Sequence, residues 1–87
     1  MYYVYVLRSE ADHGFYVGFT QSIKRRLYEH RAGKNVSTKM RGPFGLIYLE
    51  GFVNKFDALR REGYMKTAKG RAMLKGILRE YLEKMPE

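Results

Sequence analysis

The sequence predicts a small α+β domain, a three-stranded antiparallel sheet flanked by helices in the order β-β-α-β-α-α. Three observations carry that expectation. Two short aromatic and β-branched runs near the N-terminus are separated only by a polar turn ending in glycine. A third such run follows a long basic and polar stretch. The C-terminal part then repeats apolar residues at helical spacing. The 87 residues make about one domain's worth of chain, so residues 1–87 read as one unit without linker, repeat or low-complexity segment.

The elements follow in order. Tyr2 to Leu7 reads as a strand, Glu10-Ala11-Asp12-His13-Gly14 as a turn, and Phe15 to Phe19 as a second strand with Gly18 inside it. So short a connection makes an antiparallel pair, because a parallel crossover needs a dozen or more residues. Ser22 is placed to cap a helix beginning at Ile23, with Gly33 as its stop. On it Ile23 and Leu27 face the core, and Arg26 and His30, also four apart, share a neighbouring face. Lys34 to Gly45 reads as a loop broken by Gly42-Pro43 and Gly45, and Leu46 to Phe52 as the third strand. Asn54 caps the next helix, with Asp57 in an approximate capping box, and that helix runs through Phe56, Leu59 and Glu62 towards Lys66. Lys69-Gly70 interrupts the pattern. The last helix carries Leu74, Ile77, Leu78, Tyr81, Leu82 and Met85 as one stripe, read as core packing.

Charge gives the first functional clue. Seventeen Lys and Arg against nine Asp and Glu leave a net +8. Between Lys24 and Arg41 seven basic residues face the single acid Glu29, a net +6 over eighteen residues. Such a stretch, with Asn35, Ser37 and Thr38 among the cations, suits a phosphate backbone; an ordinary solvated loop is the plainer alternative. No apolar run approaches the ~20 residues that span a bilayer, and Met1 leads straight into a strand rather than a signal peptide. Cysteine is absent, which excludes disulfides, thiolate zinc and cysteine nucleophiles and favours a cytoplasmic setting. There is no P-loop, dinucleotide fingerprint or HExxH helix, and His13 and His30 lack metal-ligand spacing. The acids are too scattered for a carboxylate-rich two-metal site.

Tyr3-Val4-Tyr5 in the first strand and Tyr16-Val17-Gly18 in the second, with KRRLYEH on the first helix and REGYMK on a later one, together resemble the GIY-YIG nuclease superfamily in its small single-domain branch. The resemblance covers residues 2 to about 79. It implies an active site lined by Tyr5 and Tyr16, with Gly18 allowing close approach, Arg26 and His30 on the first helix, and Glu62 as the single carboxylate holding one Mg²⁺ or Mn²⁺. Tyr3 stands where the first triplet has glycine, Phe19 where a lysine often follows the second, and no asparagine follows Asn54. These departures bear on turnover and substrate range more than on fold.

The residue types suit phosphodiester hydrolysis on physical grounds. A divalent ion on one carboxylate neutralises phosphate charge while keeping its waters. Arg26 can clamp phosphate oxygens as charge builds; beside Lys24 and Arg25 it also reads as one more solvated cation. Tyr5 is the candidate to orient or deprotonate water, which for a phenol needs nearby positive charge, and Tyr16 would orient water or phosphate. Either tyrosine alone reads as a half-buried strand aromatic, and His30 alone as a surface histidine or a proton relay. Glu62 alone reads as a surface glutamate paired with Lys66, and Glu50 near the end of the third strand is a competing carboxylate. Lys24, Arg25, Arg31, Lys34, Lys39 and Arg41 would hold the flanking backbone.

The expected function is therefore a metal-dependent endonuclease acting on nucleic acid, DNA before RNA by the resemblance, in DNA repair or processing, with a protein partner as one source of specificity. The alternative is a non-catalytic nucleic-acid-binding module that keeps the nuclease fold.

Overall fold

The computed structural model of the chain describes residues 1–32 and 43–84. Strands β1 (Tyr2–Ser9) and β2 (Phe15–Thr20) precede helix α1 (Ile23–Arg31). Strand β3 (Phe44–Phe52) and helices α2 (Lys55–Met65), α3 (Ala68–Ile77) and α4 (Arg79–Lys84) follow. The sheet is three-stranded and antiparallel throughout, as the sequence predicts, and its strand order is β2-β1-β3. The central position of β1 explains why four successive residues, Val4 to Leu7, are all buried.

The hairpin turn is built by side chains. Ser9 Oγ accepts from the backbone N–H of Ala11 (3.1 Å) and Asp12 (3.3 Å), and Asp12 Oδ1 accepts from Gly14 N–H at 2.8 Å. His13 takes the left-handed conformation, φ 61°, that closes the turn. On the other side of β1 the register slips. Val6 faces Tyr48 but Leu7 faces Leu46, so Ile47 is the extra residue of a bulge, and both Ile47 and Tyr48 pack against the core.

The core lies on one face of the sheet, where Val4, Val6 and Val17 meet Ala58 and Met65 of α2 and Leu74 of α3. Each of the Val, Met and Leu side chains contributes about 1.5–3 kcal/mol on burial. The opposite face carries Tyr5, Gly18 and Tyr16 by strict alternation, since Tyr5 pairs with Gly18 and Leu7 with Tyr16.

Helix α1 begins as expected, with Ser22 Oγ accepting from Arg25 N–H at 3.4 Å. It ends at Arg31 with Ala32 as C-cap; the expected stop, Gly33, lies outside the described residues. Ile23 and Leu27 are half-buried as the inward face predicts, whereas His30, expected on a neighbouring face and alone read as a surface histidine, is buried. Asn54 caps α2, accepting from Phe56 N–H at 2.8 Å and Asp57 N–H at 3.4 Å. The carboxylate of Asp57 pairs with Arg60 at 3.0 Å.

Two details of the C-terminal half differ from expectation. The break after α2 falls at Lys66-Thr67, not at Lys69-Gly70. Thr67 donates to Tyr64 O at 2.6 Å and accepts from Gly70 N–H at 3.1 Å, so one residue closes α2 and caps α3. Gly70 sits buried in the first turn of α3, where a Cβ would overlap the backbone of Tyr64 and Met65. The expected single last helix is two, because Leu78 leaves helical geometry (φ −99°, ψ 22°). The apolar stripe therefore splits: Leu74 is buried and Leu78 and Leu82 half-buried, while Ile77 and Tyr81 face outward. Met85, the last residue of the expected stripe, lies outside the described residues.

Candidate active site

Gly18 decides where the Tyr5 side chain goes. A Cβ there would overlap Cζ and Oη of Tyr5, so the phenol lies across the backbone of edge strand β2 only because position 18 has no side chain. The ring thus carries its hydroxyl from the central strand to the sheet edge. There Tyr5 Oη is hydrogen-bonded to Nε2 of the buried His30, at 3.1 Å. Tyr16 completes the cluster, its ring centroid 6.4 Å from Tyr5 and 5.1 Å from His30.

Arg26 lies one turn before His30 on α1. Its guanidinium pairs with Glu29 at 3.4 Å, and its Nε is buried without a hydrogen-bond partner. Glu62 reaches the same region from α2 on the other side of the sheet. The charges of Arg26, Glu62 and Glu29 all act on the Tyr5 hydroxyl. Residues of β1, β2 and α1 thus meet at one phenol, and from α2 the charge of Glu62 acts on it.

Electrostatics set the protonation states. Burial lifts Tyr5 well above the ordinary phenol value of 10.0; Tyr16, Glu62 and Glu29 add to the rise, and Arg26 only partly opposes it. His30 is held below its ordinary 6.5, first by burial and then by the Arg26 charge, against the pull of Glu29. A protonated phenol beside a neutral imidazole allows Tyr5 to donate to Nε2 when the ring proton is on Nδ1, or to accept from Nε2 in the other tautomer. Arg26 alone does not make Tyr5 a base.

Glu62 pairs with Lys66 at 3.2 Å, the i,i+4 contact its spacing implies. Glu50, the competing carboxylate, is fully engaged on the core face of the sheet. Arg61 donates Nε and Nη2 to its two oxygens at 2.9 and 3.0 Å, and Tyr48 donates to Oε2 at 2.6 Å. These bonds, Arg61 first, outweigh burial and hold the Glu50 carboxyl below its ordinary 4.5. It is a structural ion pair rather than a member of the site.

A family model described as the GIY-YIG catalytic domain matches residues 1–75. The chain belongs to the GIY-YIG family. Relatives in this GIY-YIG group include a UPF0213 protein of Limosilactobacillus reuteri, 44% identical over 80 residues that span 88% of this chain and 82% of the relative. A UPF0213 protein of Staphylococcus haemolyticus is 39% identical over 77 residues, 87% of this chain and 93% of that one. The solution NMR structure of a UPF0213 protein from Bacillus halodurans superposes with a TM-score of 0.56 at 33% identity, covering 88% of this chain and 85% of that chain. Membership places the chain in a nuclease family whose members typically use divalent metals and bind nucleic acid.

Against that GIY-YIG background the predicted residues sort cleanly. Tyr5, Tyr16, Gly18, Arg26 and His30 are gathered at the β2 edge, with Glu62 in electrostatic reach. Lys24, Arg25 and Arg31 are exposed on α1, Arg25 in a 4.0 Å pair with Glu29. Lys34, Lys39 and Arg41 lie outside the described residues. Two contributors escaped sequence reasoning. Glu29 bridges Arg25 and Arg26, a role its i,i+3 and i,i+4 spacing would have disclosed. Phe44 packs its ring 6.5 Å from Tyr16 and 6.1 Å from His30, and no local pattern announces it.

Among the described residues, no group of three or more His, Asp or Glu side chains could encage a metal. The donor set fits an ion that takes one carboxylate and keeps its waters, as Mg²⁺ does. Glu62, with only the exposed Lys66 to displace, suits that part better than Glu29 between two arginines. No helix among the described residues is long and apolar enough to cross a membrane.

Proposed function

We propose that this chain is a metal-dependent endonuclease that hydrolyses phosphodiester bonds of nucleic acid, DNA before RNA, using one Mg²⁺ or Mn²⁺ on Glu62. The observation that carries the reading is the Tyr5–His30 hydrogen bond over Gly18, with Arg26 and Glu62 acting on the same hydroxyl. When bound, the ion supplies charge neutralisation at the phosphate and a more acidic water. Arg26, its side chain half-buried beside Glu29, would clamp a non-bridging phosphate oxygen with its guanidinium. Tyr5 and His30 form a two-step proton path. As the attacking water gives a proton to Tyr5 Oη, the phenol gives its own to Nε2 of His30, so no free phenolate is required. Tyr16 borders this path and orients the water or the phosphate.

Lys24, Arg25 and Arg31 on α1, continued by Lys34, Lys39 and Arg41, would track the flanking backbone. The residues point to no base-specific contact, so specificity is assigned to substrate shape or to a protein partner. The setting is cytoplasmic, in repair or processing of DNA.

The test is cleavage of a panel of labelled DNA and RNA structures with Mg²⁺, Mn²⁺ or chelator, wild type beside Glu62→Gln. Cutting that needs metal and disappears in the variant is expected. Binding of the whole panel, unaffected by chelator and never followed by cutting, would replace this reading with the non-catalytic binding module.

A further inference from the structure

On the core side of the sheet, away from Tyr5, an open cavity of about 280 Å³ lies between the hairpin turn and the last two helices. Arg8, His13, Gly14, Phe15, Arg71, Lys75 and Leu82 line it. Arg8 and Phe15 are cross-strand partners, and alternation puts them on the face opposite Tyr5 and Tyr16. Arg71 and Lys75, four apart on α3, face the same space. The break at Leu78 redirects the chain so that Leu82 closes the far wall.

Among the described residues the lining has three permanent cations and no carboxylate. Among the described residues, none of Arg8, Arg71 and Lys75 has an ion-pair partner. Arg8 Nε reaches His13 O only at 3.5 Å, and its Nη1 is buried with no hydrogen-bond partner. Cations gathered around one space without an acid among them repel one another, and an anion there offsets that repulsion.

We propose that this cavity is a phosphate-binding site, distinct from the candidate active site, that takes a phosphate monoester on a sugar or base body. The inference stands on the cavity and not on the nuclease reading. A phosphate monoester carries nearly two charges and three acceptor oxygens, matching two guanidinium forks and an ammonium; a carboxylate would leave donors unused. Half-buried Phe15 and Leu82 give the apolar wall that a sugar or base needs. The volume suits one nucleotide, not a duplex. Two sources share this chemistry, a free nucleotide and the 5′-phosphorylated end of a strand.

The experiment is an amide NMR titration of the full chain at constant ionic strength. The probes are inorganic phosphate, AMP, the dinucleotide pTpT and unphosphorylated TpT. Saturable shifts are expected at Arg8, Gly14, Phe15, Arg71 and Lys75, with pTpT binding about tenfold or more tightly than TpT. Arg71→Gln/Lys75→Gln, both on a helix surface, should weaken binding by a similar factor while resonances elsewhere stay in place. AMP binding as well as pTpT identifies a free nucleotide as sufficient; pTpT clearly ahead of AMP identifies the strand end. Either result supports the site. Equal binding of TpT and pTpT, undiminished binding by the double variant, or shifts confined to Lys24, Arg25 and Arg26 would overturn it.

Discussion

The two faces of the sheet are made by the same three strands and are put to opposite uses. One face carries the dry aliphatic core, Val4, Val6 and Val17 against Ala58, Met65 and Leu74. The other presents a hydroxyl, an imidazole and a second phenol around Tyr5. The two glutamates of the later elements divide along the same line. Glu50, on the core face, is neutralised by Arg61 and Tyr48 and is committed to structure. Among the described residues Glu62 pairs with the exposed Lys66 alone, and its charge acts on Tyr5. A carboxylate is available for chemistry when its partner is easily displaced, and the strand or helix it sits on does not reveal that.

This division is open to direct attack. The largest effect is expected from Glu62→Gln, with cleavage falling by about 10²–10³-fold or more in single-turnover assays and an unchanged melting temperature. Tyr5→Phe should follow, with a loss of about 10²-fold, since it breaks the proton path and leaves the ring over Gly18. On the dry face, Met65→Ala should cost about 2–5 kcal/mol in urea unfolding and leave cleavage by the folded fraction intact. Glu50→Gln should cost less, about 1–3 kcal/mol, with no change in kcat. Because the folded Glu50 carboxyl lies below 4.5, its stabilisation is present above that pH and lost as pH falls further; the variant should lack that part of the acid slope.

The smallest effect concerns His30. Its folded value lies below 6.5, so the unfolded chain binds the proton better, and stability falls as pH drops through 6.5. His30→Gln should flatten the unfolding free energy between pH 7 and 5. A variant that keeps the wild-type slope would remove His30 from the buried, neutral role given to it here.

Much of this was legible in the sequence. The strands were marked by aromatic and β-branched runs, the α1 and α2 caps by Ser22 and Asn54, and the family by a resemblance resting on two triplets and two helical motifs. What escaped was long-range. Thr67 acts at two helix ends at once, and Leu78 breaks a stripe whose spacing is perfectly helical. The state of Tyr5 was also hidden. Its sequence neighbourhood promises positive charge, whereas burial over Gly18 dominates and keeps the phenol protonated.

The central claim is that Glu62 from the helix layer and Tyr5 from the opposite sheet face serve one phosphate at the β2 edge. Paramagnetic broadening by Mn²⁺ tests that juxtaposition most directly. Titrated into the labelled protein, Mn²⁺ should broaden amides around Glu62 together with those of Gly18 and Arg26, and Glu62→Gln should abolish both sets. Broadening centred on Glu50 or Asp57, or broadening at Glu62 that spares Gly18 and Arg26, would contradict the account.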